Sequence, residues 1–596
     1  MAKFTGKTFG KELCARVKGL IGKILDCVKS YVKNDEATVA TITYVYLSRW
    51  TKEPLNLFLK GESTIGKTYI TKNTIRILGE DKDVWFLGGL SPTALVHDYG
   101  VLKDESGVEI NLLDIPTRRK IRMENPNASA EEISKLYREE MQSWMARLRS
   151  SYYEVDLQGK LLVFLEPPHI ETFNRLRPIL SHDTWRISYR FTEKTKTNQL
   201  RTTHVVIQGW PATIFCTSEE RFLRDLSTRS LTVTPSLADE KIKAAITLSS
   251  DRAAYGEDLL EPDAKQVEEI RVLMDKIKVK APKTVMTPLC HELQRKIKYW
   301  GKRVMRDWPH FLTLVKMNAV LNFENRPKIY AGESVRLMAS AEDYMTVLKF
   351  WPEIEETTIT GVSGSALNVF YKLIRPLGPI TNYTMLSEKS KELYSEPLSS
   401  STLSEYIRAL RSVGLVDTAP DPEDKRRKVI KVLGDERRLF GITSECFGLE
   451  FPTIFSAEKL KEWQNRLIEL FRKKGLSCKI VFPDGKVMES MEDYNMLYQK
   501  FIYIKPEFSE IILKAENKTE TAKEAGKRAE IVFRNNSKEF KSLERITSSL
   551  YPTEKCHFCG KQPVAWQVTW LNDFWGLLCE ECGRKLERQL QEGEKE

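Results

Sequence analysis

The octapeptide Gly61-Glu62-Ser63-Thr64-Ile65-Gly66-Lys67-Thr68 constrains this 596-residue chain more than any other stretch. It reads G-x-x-x-x-G-K-T. The apolar run Leu55-Asn56-Leu57-Phe58-Leu59 leads into it, and a helix-compatible run from Tyr69 to Leu78 leads out. Strand, glycine loop and helix in that order build a phosphate cradle. The glycines let backbone N–H groups converge on an anion, and the following helix adds the field of its N-terminus. In such a cradle Lys67 reaches the β- and γ-phosphates and the Thr68 hydroxyl holds Mg²⁺. ATP and Mg²⁺ are therefore expected, with all eight residues as nucleotide-binding candidates.

The rest of the chain gives this loop several domains to sit among. Apolar residues make up 41% and charged residues 29%, the balance of a soluble globular protein. No apolar run approaches the ~18–20 residues that span a bilayer. The basic start, Met1 to Lys7, is not followed by the apolar core of a signal peptide. A cytoplasmic protein with no membrane partner is expected. Lys and Arg number 93 against 82 Asp and Glu, a net charge of +11. That excess fits a nucleic-acid partner without requiring one.

Read in order, residues 1–52 look helical, a packing layer over the core. Residues 53–235 hold the nucleotide core. Asp83 to Leu87 is a second strand. Residues 103–157 form an inserted arm, with a basic cluster (Arg118, Arg119, Lys120, Arg122) and a helix opened by the capping box Ser129-Ala130-Glu131-Glu132. Leu161-Leu162-Val163-Phe164-Leu165-Glu166 is a buried parallel strand ending in an acid. Ligands bind at the carboxyl ends of such strands, so Glu166 is the candidate to orient water or hold the metal's water shell. Leu165 stands where many nucleotidases carry a second acid. Asp183 is the alternative acid if Glu166 only caps the strand. Residues 186–207 alternate as a hairpin, with Lys194 and Lys196 at its tip. Ala212 to Ser218 is a further strand whose terminal Thr217 and Ser218 are γ-phosphate sensor candidates. Arg229, with Arg224 as runner-up, is placed to reach a neighbouring subunit's nucleotide. Residues 236–355 read as a helical lid, on which Arg306 or Arg303 is a second sensor.

Those residues, in that order, resemble an AAA+ ATPase of the minichromosome-maintenance (MCM) helicase class and its plasmid- and virus-borne relatives. Gly88 to Leu95 is similar to that class's second-strand segment. Asp156 to Lys160 is similar to the turn before its acidic strand, 186–207 to its pre-sensor hairpin, Leu226 to Ser230 to its arginine-finger motif, and Arg306 to its second sensor. The resemblance spans roughly residues 53–325. It implies a P-loop core with a parallel sheet and helical lid. It further implies a homo-oligomeric ring, hexameric, with a DNA strand in its pore. Leu165 departs from the class, and no OB-fold collar precedes the core.

The C-terminal half adds two modules. Residues 356–435 read as a winged helix, with Arg408 and Arg411 on its third helix and Lys425, Arg426, Arg427 and Lys428 on its wing, all candidates for duplex DNA. Protein docking is the other use of such a domain. Residues 436–550 are mixed. Residues 551–596 hold Cys556, Cys559, Cys579 and Cys582 with spacing C-x2-C-x19-C-x2-C. Four thiolates suit tetrahedral Zn²⁺ in a closed structural site. The other six cysteines are scattered and read as reduced core residues. The resulting fold class is multidomain α/β: a P-loop AAA+ core, then winged helix and zinc ribbon. The function expected is an ATP-dependent, helicase-like DNA motor with possible replication partners. The alternatives are a nucleotide-switched initiator or loader, or an ATPase-controlled transcription regulator.

Overall fold

Leu57, Phe58 and Leu59 are wholly buried, because the strand they form is flanked by a strand on each side in a sheet covered on both faces. The structure is a computed structural model. It describes residues 19–61, 65–91, 94–166, 168, 170–194, 200–217, 229–236, 239–297, 304–360, 362–393, 398–420, 428–433, 457–488, 540–545, 564–570, 575–580 and 584. In chain order the first nine strands are β1 (Asn56–Lys60), β2 (Val84–Leu87), β3 (Val101–Lys103), β4 (Tyr152–Asp156), β5 (Leu161–Phe164), β6 (Arg186–Lys194), β7 (Leu200–Gln208), β8 (Ala212–Thr217) and β9 (Leu231–Val233). Five of them form an all-parallel sheet in the order β2-β5-β8-β1-β9. β8 is thus inserted between the loop-bearing β1 and the acid-tipped β5.

Three phenylalanines on adjacent strands hold this sheet together on one face. Phe58 stacks on Phe215 at 4.6 Å, and Phe164 stacks on Phe215 at 4.7 Å. Each such buried ring is worth about 1.5–3 kcal/mol against exposure. Phe173, Leu176 and Ile179 of the helix Ile170–Leu180 complete this core. The helix Glu36–Ser48 also packs on the sheet and is buried nearly all round, as a helix enclosed by other elements must be.

The remaining early strands form a second sheet, β3-β4-β7-β6. It unites the arm and the hairpin. β3 and β4 are the arm's two ends, and β4 runs parallel to β7 of the hairpin. Inside the arm, the helix Ala130–Arg149 starts at the capping box, with both reciprocal bonds formed.

The stretch read as an all-helical lid contains the helices Asp239–Tyr255, Ala264–Lys280, Val304–Leu321 and Ala341–Thr360. It also contains strands, and here it differs from the expectation. β10 (Val285–Met286), β11 (Lys328–Ala331) and β12 (Ser334–Met338) form a sheet. Next come the α-helices Gly364–Val369, Tyr383–Leu393 and Ser400–Ser412, the first continued by a π-helical turn and a 3-10 turn to Leu377, with β13 (Ile380–Asn382), β14 (Val416–Pro420) and β15 (Lys428–Val432) in the order β13-β15-β14. The connector then returns β16 (Cys478–Val481) to pair with β11, and β17 (Val487–Met488) follows it. Residues 504–596 make a separate compact unit. Its described part is the antiparallel sheet of β18 (Phe540–Arg545), β19 (Val564–Trp570) and β20 (Trp575–Cys579).

Candidate nucleotide site

The glycine loop leaves β1 at Lys60 and enters the helix Lys67–Leu78. Both glycines are required. Gly61 has φ +141°, and a Cβ there would lie 2.2 Å from Ile65 Cδ1. Gly66 has φ +84° as the helix N-cap, a left-handed conformation that costs other residues energy. No side chain caps this N-terminus, so its first amides remain available to an anion. Lys67 is buried, and its Nζ donates to the Gly61 carbonyl at 2.8 Å. That bond sets a cation across the loop's own turn. Thr68 follows at the helix's second position. Its hydroxyl and that of Thr71 face the Cys216 thiol on β8, with Thr71 Oγ1 3.7 Å from the sulfur. Burial pushes that thiol up from its ordinary pKa. Glu62, Ser63 and Thr64 lie outside the described residues. These features fit a bound triphosphate: two glycines forced by conformation, an uncapped helix end and a buried lysine.

Strand register places the other candidates at the same edge. Lys60 is opposite Thr217, and Phe164 is opposite Phe215. Glu166 lies two residues past Phe164 and is exposed. Leu165, the residue between, donates its N–H to the Leu87 carbonyl at 3.0 Å. Thr217 is buried. Ser218 and the runner-up Arg224 lie outside the described residues.

A contact set that sequence reasoning missed joins the loop to the following helices. Lys241 donates to the Ile65 carbonyl at 3.3 Å and pairs with the buried Asp35 at 2.5 Å. Arg252, on the same helix, reaches the Tyr69 hydroxyl at 3.5 Å and the Ser30 carbonyl at 2.9 Å. Its guanidinium lies 5.1 Å from the Tyr31 ring centre. Nothing in the sequence around Lys241 or Arg252 signals these partners.

Arg229 and Arg306 sit elsewhere. Arg229 precedes β9, whose Leu231 is level with Leu57 near the start of β1. It forms an ion pair with Asp183 and donates to the Ser181 carbonyl at 3.3 Å. The neighbouring Leu180 carbonyl accepts from Asn56, the first residue of β1, at 2.6 Å. Arg229 thus occupies the opposite edge of the sheet from the loop, a strand length of roughly 15 Å away. Ser181 and Arg229 hold the Asp183 carboxyl below its ordinary range, and the nearby charge of Arg306 contributes. This corrects one alternative. Asp183 is remote from the glycine loop and cannot replace Glu166 in the same chain.

The DNA-contact candidates divide by placement. Lys194 ends β6, paired with Leu200, and Lys196 lies outside the described residues. Arg408 and Arg411 project from the helix Ser400–Ser412, whose Leu403, Tyr406, Ile407 and Leu410 are buried. Arg411 is tied to Asp417 at 2.9 Å. Lys428 is exposed at the start of β15, and Lys425, Arg426 and Arg427 lie outside the described residues. Of the four paired cysteines, Cys579 ends β20, while Cys556, Cys559 and Cys582 lie outside the described residues. Among the described residues no group of His, Cys, Asp and Glu could hold a metal, and no helix is long and apolar enough to cross a membrane. Cys27, Cys216, Cys290 and Cys478 are free thiols.

No protein-family model matches this chain, and no curated protein matches it significantly in sequence. Among solved structures it is similar to a candidate ATPase from Cytophaga hutchinsonii, at 10% identity and a TM-score of 0.27, covering 61% of this chain and 96% of that one. It is also similar to the Aeropyrum pernix ORC1 protein, solved in complex with DNA, at 14% identity and a TM-score of 0.19, covering 75% and 98% respectively. TM-scores this low carry no argument about fold or activity. What the chain itself shows is an α/β core: an all-parallel five-stranded sheet with a glycine loop running from β1 into a helix.

Proposed function

We propose that this chain is an ATPase of the AAA+ type that works as a motor on DNA, resembling the MCM helicase class. The observation that carries the ATPase reading is the buried Lys67 beside an uncapped helix N-terminus, at the carboxyl edge of a parallel sheet. Lys67 and the loop amides bind the triphosphate. Glu166 orients water for attack on the γ-phosphorus and accepts its proton, and the bond to the bridging oxygen breaks to give ADP and phosphate. Thr68, with Glu166 acting through water, would hold Mg²⁺, which offsets charge on the β- and γ-oxygens. Arg229 lies too far from its own loop to stabilise that charge, which favours a homo-oligomeric ring, hexameric, in which it serves a neighbour.

For the DNA side, the module of three helices and the β13-β15-β14 sheet is read as a winged helix. Arg408 and Arg411 then face duplex, and the β6–β7 hairpin with Lys194 and Lys196 faces a single strand in the pore. The paired cysteines at the C-terminal end of the chain are read as one structural Zn²⁺ site on their spacing alone. Genome or mobile-element replication in a cytoplasm, with replication partners, is the setting this implies.

The test is ATP turnover with and without DNA, beside displacement of a strand from tailed duplexes. DNA-stimulated turnover that vanishes in Lys67→Ala protein, with unwinding, supports the motor. Normal turnover by Lys67→Ala sinks it. A second reading is favoured by Leu165, which leaves one carboxylate at the strand tip. It is a nucleotide-switched initiator or loader, or an ATPase-controlled transcription regulator. Slow turnover, site-specific footprints and no strand displacement would select it.

A further inference from the structure

The chain leaves the parallel sheet at Thr234, where the glycine loop, the helix Ala341–Thr360 and the helix Gly364–Val369 come together. Two residues earlier, Thr232 turns its N–H and carbonyl outward from the edge strand β9. Among the described residues no strand pairs there. Instead the Thr358 hydroxyl accepts from the Thr232 N–H at 3.0 Å and donates to its carbonyl at 3.1 Å, and the Thr357 hydroxyl donates to that carbonyl at 2.6 Å. The end of the helix Ala341–Thr360 thus stands in for a neighbouring strand. Just beyond it, the Ser363 hydroxyl caps the next helix by accepting from the Ala366 N–H at 3.2 Å. The Gly364 N–H is another of the amides that a helix start leaves without an internal partner. It donates to Thr234 Oγ1 at 2.7 Å, a second cap supplied from 130 residues away. The methyl of Thr234 faces the glycine loop. A Cβ built on Gly61 would lie 3.3 Å from Thr234 Cγ2, and one built on Gly364 would lie 3.0 Å from Thr234 Cβ. One side chain fills the space between the first glycine of the loop and the first residue of that helix.

We propose that Thr234 is a positioning residue for the glycine loop, and that through it the fit of a triphosphate and the seating of the helix Gly364–Val369 depend on each other. Such a dependence needs an interaction that differs with the ligand, and Gly61 supplies it. Its carbonyl accepts from Lys67 Nζ at 2.8 Å, and a triphosphate in the cradle draws on the same ammonium. The peptide that must readjust belongs to the residue on which the Thr234 methyl rests. With no side chain at Gly61, a backbone shift there meets that methyl directly. The hydroxyl of the same side chain carries the shift to the Gly364 amide. Thr232 cannot absorb it, because β1 holds β9 on one side and Thr357 and Thr358 hold it on the other. Beyond Gly364 the path is packed: Ala366, Leu367 and Val369 share a buried core with Leu403, Tyr406 and Ile407 of the helix Ser400–Ser412. By linkage the effect runs both ways, so a disturbance at Gly364 is felt in nucleotide affinity.

This rests on the ATPase reading, and the experiment separates the two. The two branches of Thr234 can be cut one at a time in full-length protein. Thr234→Val keeps the methyl and removes the acceptor. Thr234→Ser keeps the hydroxyl and removes the methyl. Gly364→Ala adds the Cβ that meets Thr234, at a backbone outside the left-handed region. Mg·ATP affinity is read by calorimetry and amide exchange over residues 364–367 by mass spectrometry, after circular dichroism and melting have checked each variant's fold. Thr234→Val should speed exchange of those amides about three- to tenfold, the usual worth of a lost helix cap. It should also abolish the added protection that Mg·ATP gives them in wild type. Gly364→Ala should weaken Mg·ATP binding by about five- to tenfold, where a purely structural role would lower only the melting midpoint. Thr234→Ser should recover most of that loss in the Gly364→Ala background, because the crowding is removed, and such non-additivity marks a direct contact. Wild-type ATP affinity in Gly364→Ala overturns the inference, as do additive losses in the double. If Gly364→Ala does not fold, ATP-dependent protection that persists in Thr234→Val overturns it. Any of these results in protein that binds Mg·ATP leaves the ATPase reading standing. A wild type that does not bind Mg·ATP removes that reading, and the inference with it.

Discussion

Lys241 joins the Ile65 carbonyl of the glycine loop to the carboxylate of Asp35, a residue 4% exposed at the start of the helix Glu36–Ser48. The Ser236 amide donates to the same carboxylate at 2.7 Å. One ammonium therefore ties the loop to the helix before it and the helix after it. Removing it leaves a buried charge with one partner fewer, which costs about 3–5 kcal/mol in typical cases. Lys241→Met should lower the melting midpoint by several degrees and weaken ATP binding. Asp35→Asn in the same protein should recover part of the stability, because the uncompensated charge is gone. Differential scanning fluorimetry of the two single variants and the double checks this. Additive losses would show that the pair is not coupled.

His182 gives the fold a pH dependence. Its backbone is left-handed at φ +57°. Its Nε2 is buried without a partner. Burial pulls its pKa down from 6.5 to about 4, against the opposing pull of the Pro211 carbonyl and Asp183. The unfolded chain therefore binds the proton first as pH falls. Its neutral form supports the fold fully above about pH 6.5, and that support is lost as pH drops towards about 4. His182→Asn, which tolerates the same backbone, should flatten the stability-versus-pH curve by up to one proton across that window. Equal slopes for variant and wild type in acid denaturation would assign the acid sensitivity elsewhere.

The parts of the site legible in the sequence are those where local geometry dictates residue type. Gly61 and Gly66 are glycines because of their positive φ values. Ser129 and Glu132 announced a helix start because their reciprocal bonds lie within one turn. The alternation from Arg186 announced β6 for the same local reason. What stayed hidden depends on distant partners. The β11–β12 hairpin lies inside a stretch read as helical, and its other neighbour, β16, arrives only in the connector. Lys241 looks like an ordinary surface charge, and Asp183 like a spare catalytic acid, until the fold brings Asp35 and Arg229 beside them.

The cysteine spacing predicts a metal that can be counted directly. Purified full-length protein should carry about one zinc per chain, released by chelator, and Cys559→Ser should abolish retention. The 504–596 unit should then lose cooperative melting while ATP binding by the remainder persists. Elemental analysis near zero in metal-replete protein would remove the ribbon reading without touching the glycine loop.

Glu166 decides how the strand tip works. It is exposed at the edge that carries the glycine loop, and the residue before it is Leu165 rather than an acid. On the proposed reading a single carboxylate would serve both the attacking water and the metal's water shell. Glu166→Gln keeps the shape and removes the charge. Lys67, held at Gly61, and the loop amides do not depend on it, so ATP affinity should change little. Turnover should fall by the ~10²–10⁴ typical of lost general-base assistance. If Arg229 acts on a neighbour's phosphate, ATP-bound assemblies should accumulate in this variant, and Arg229→Gln should disperse them. Turnover equal to wild type would move catalysis away from Glu166. Asp183 could not take it over in the same chain, because it lies at the other edge of the sheet in its pair with Arg229.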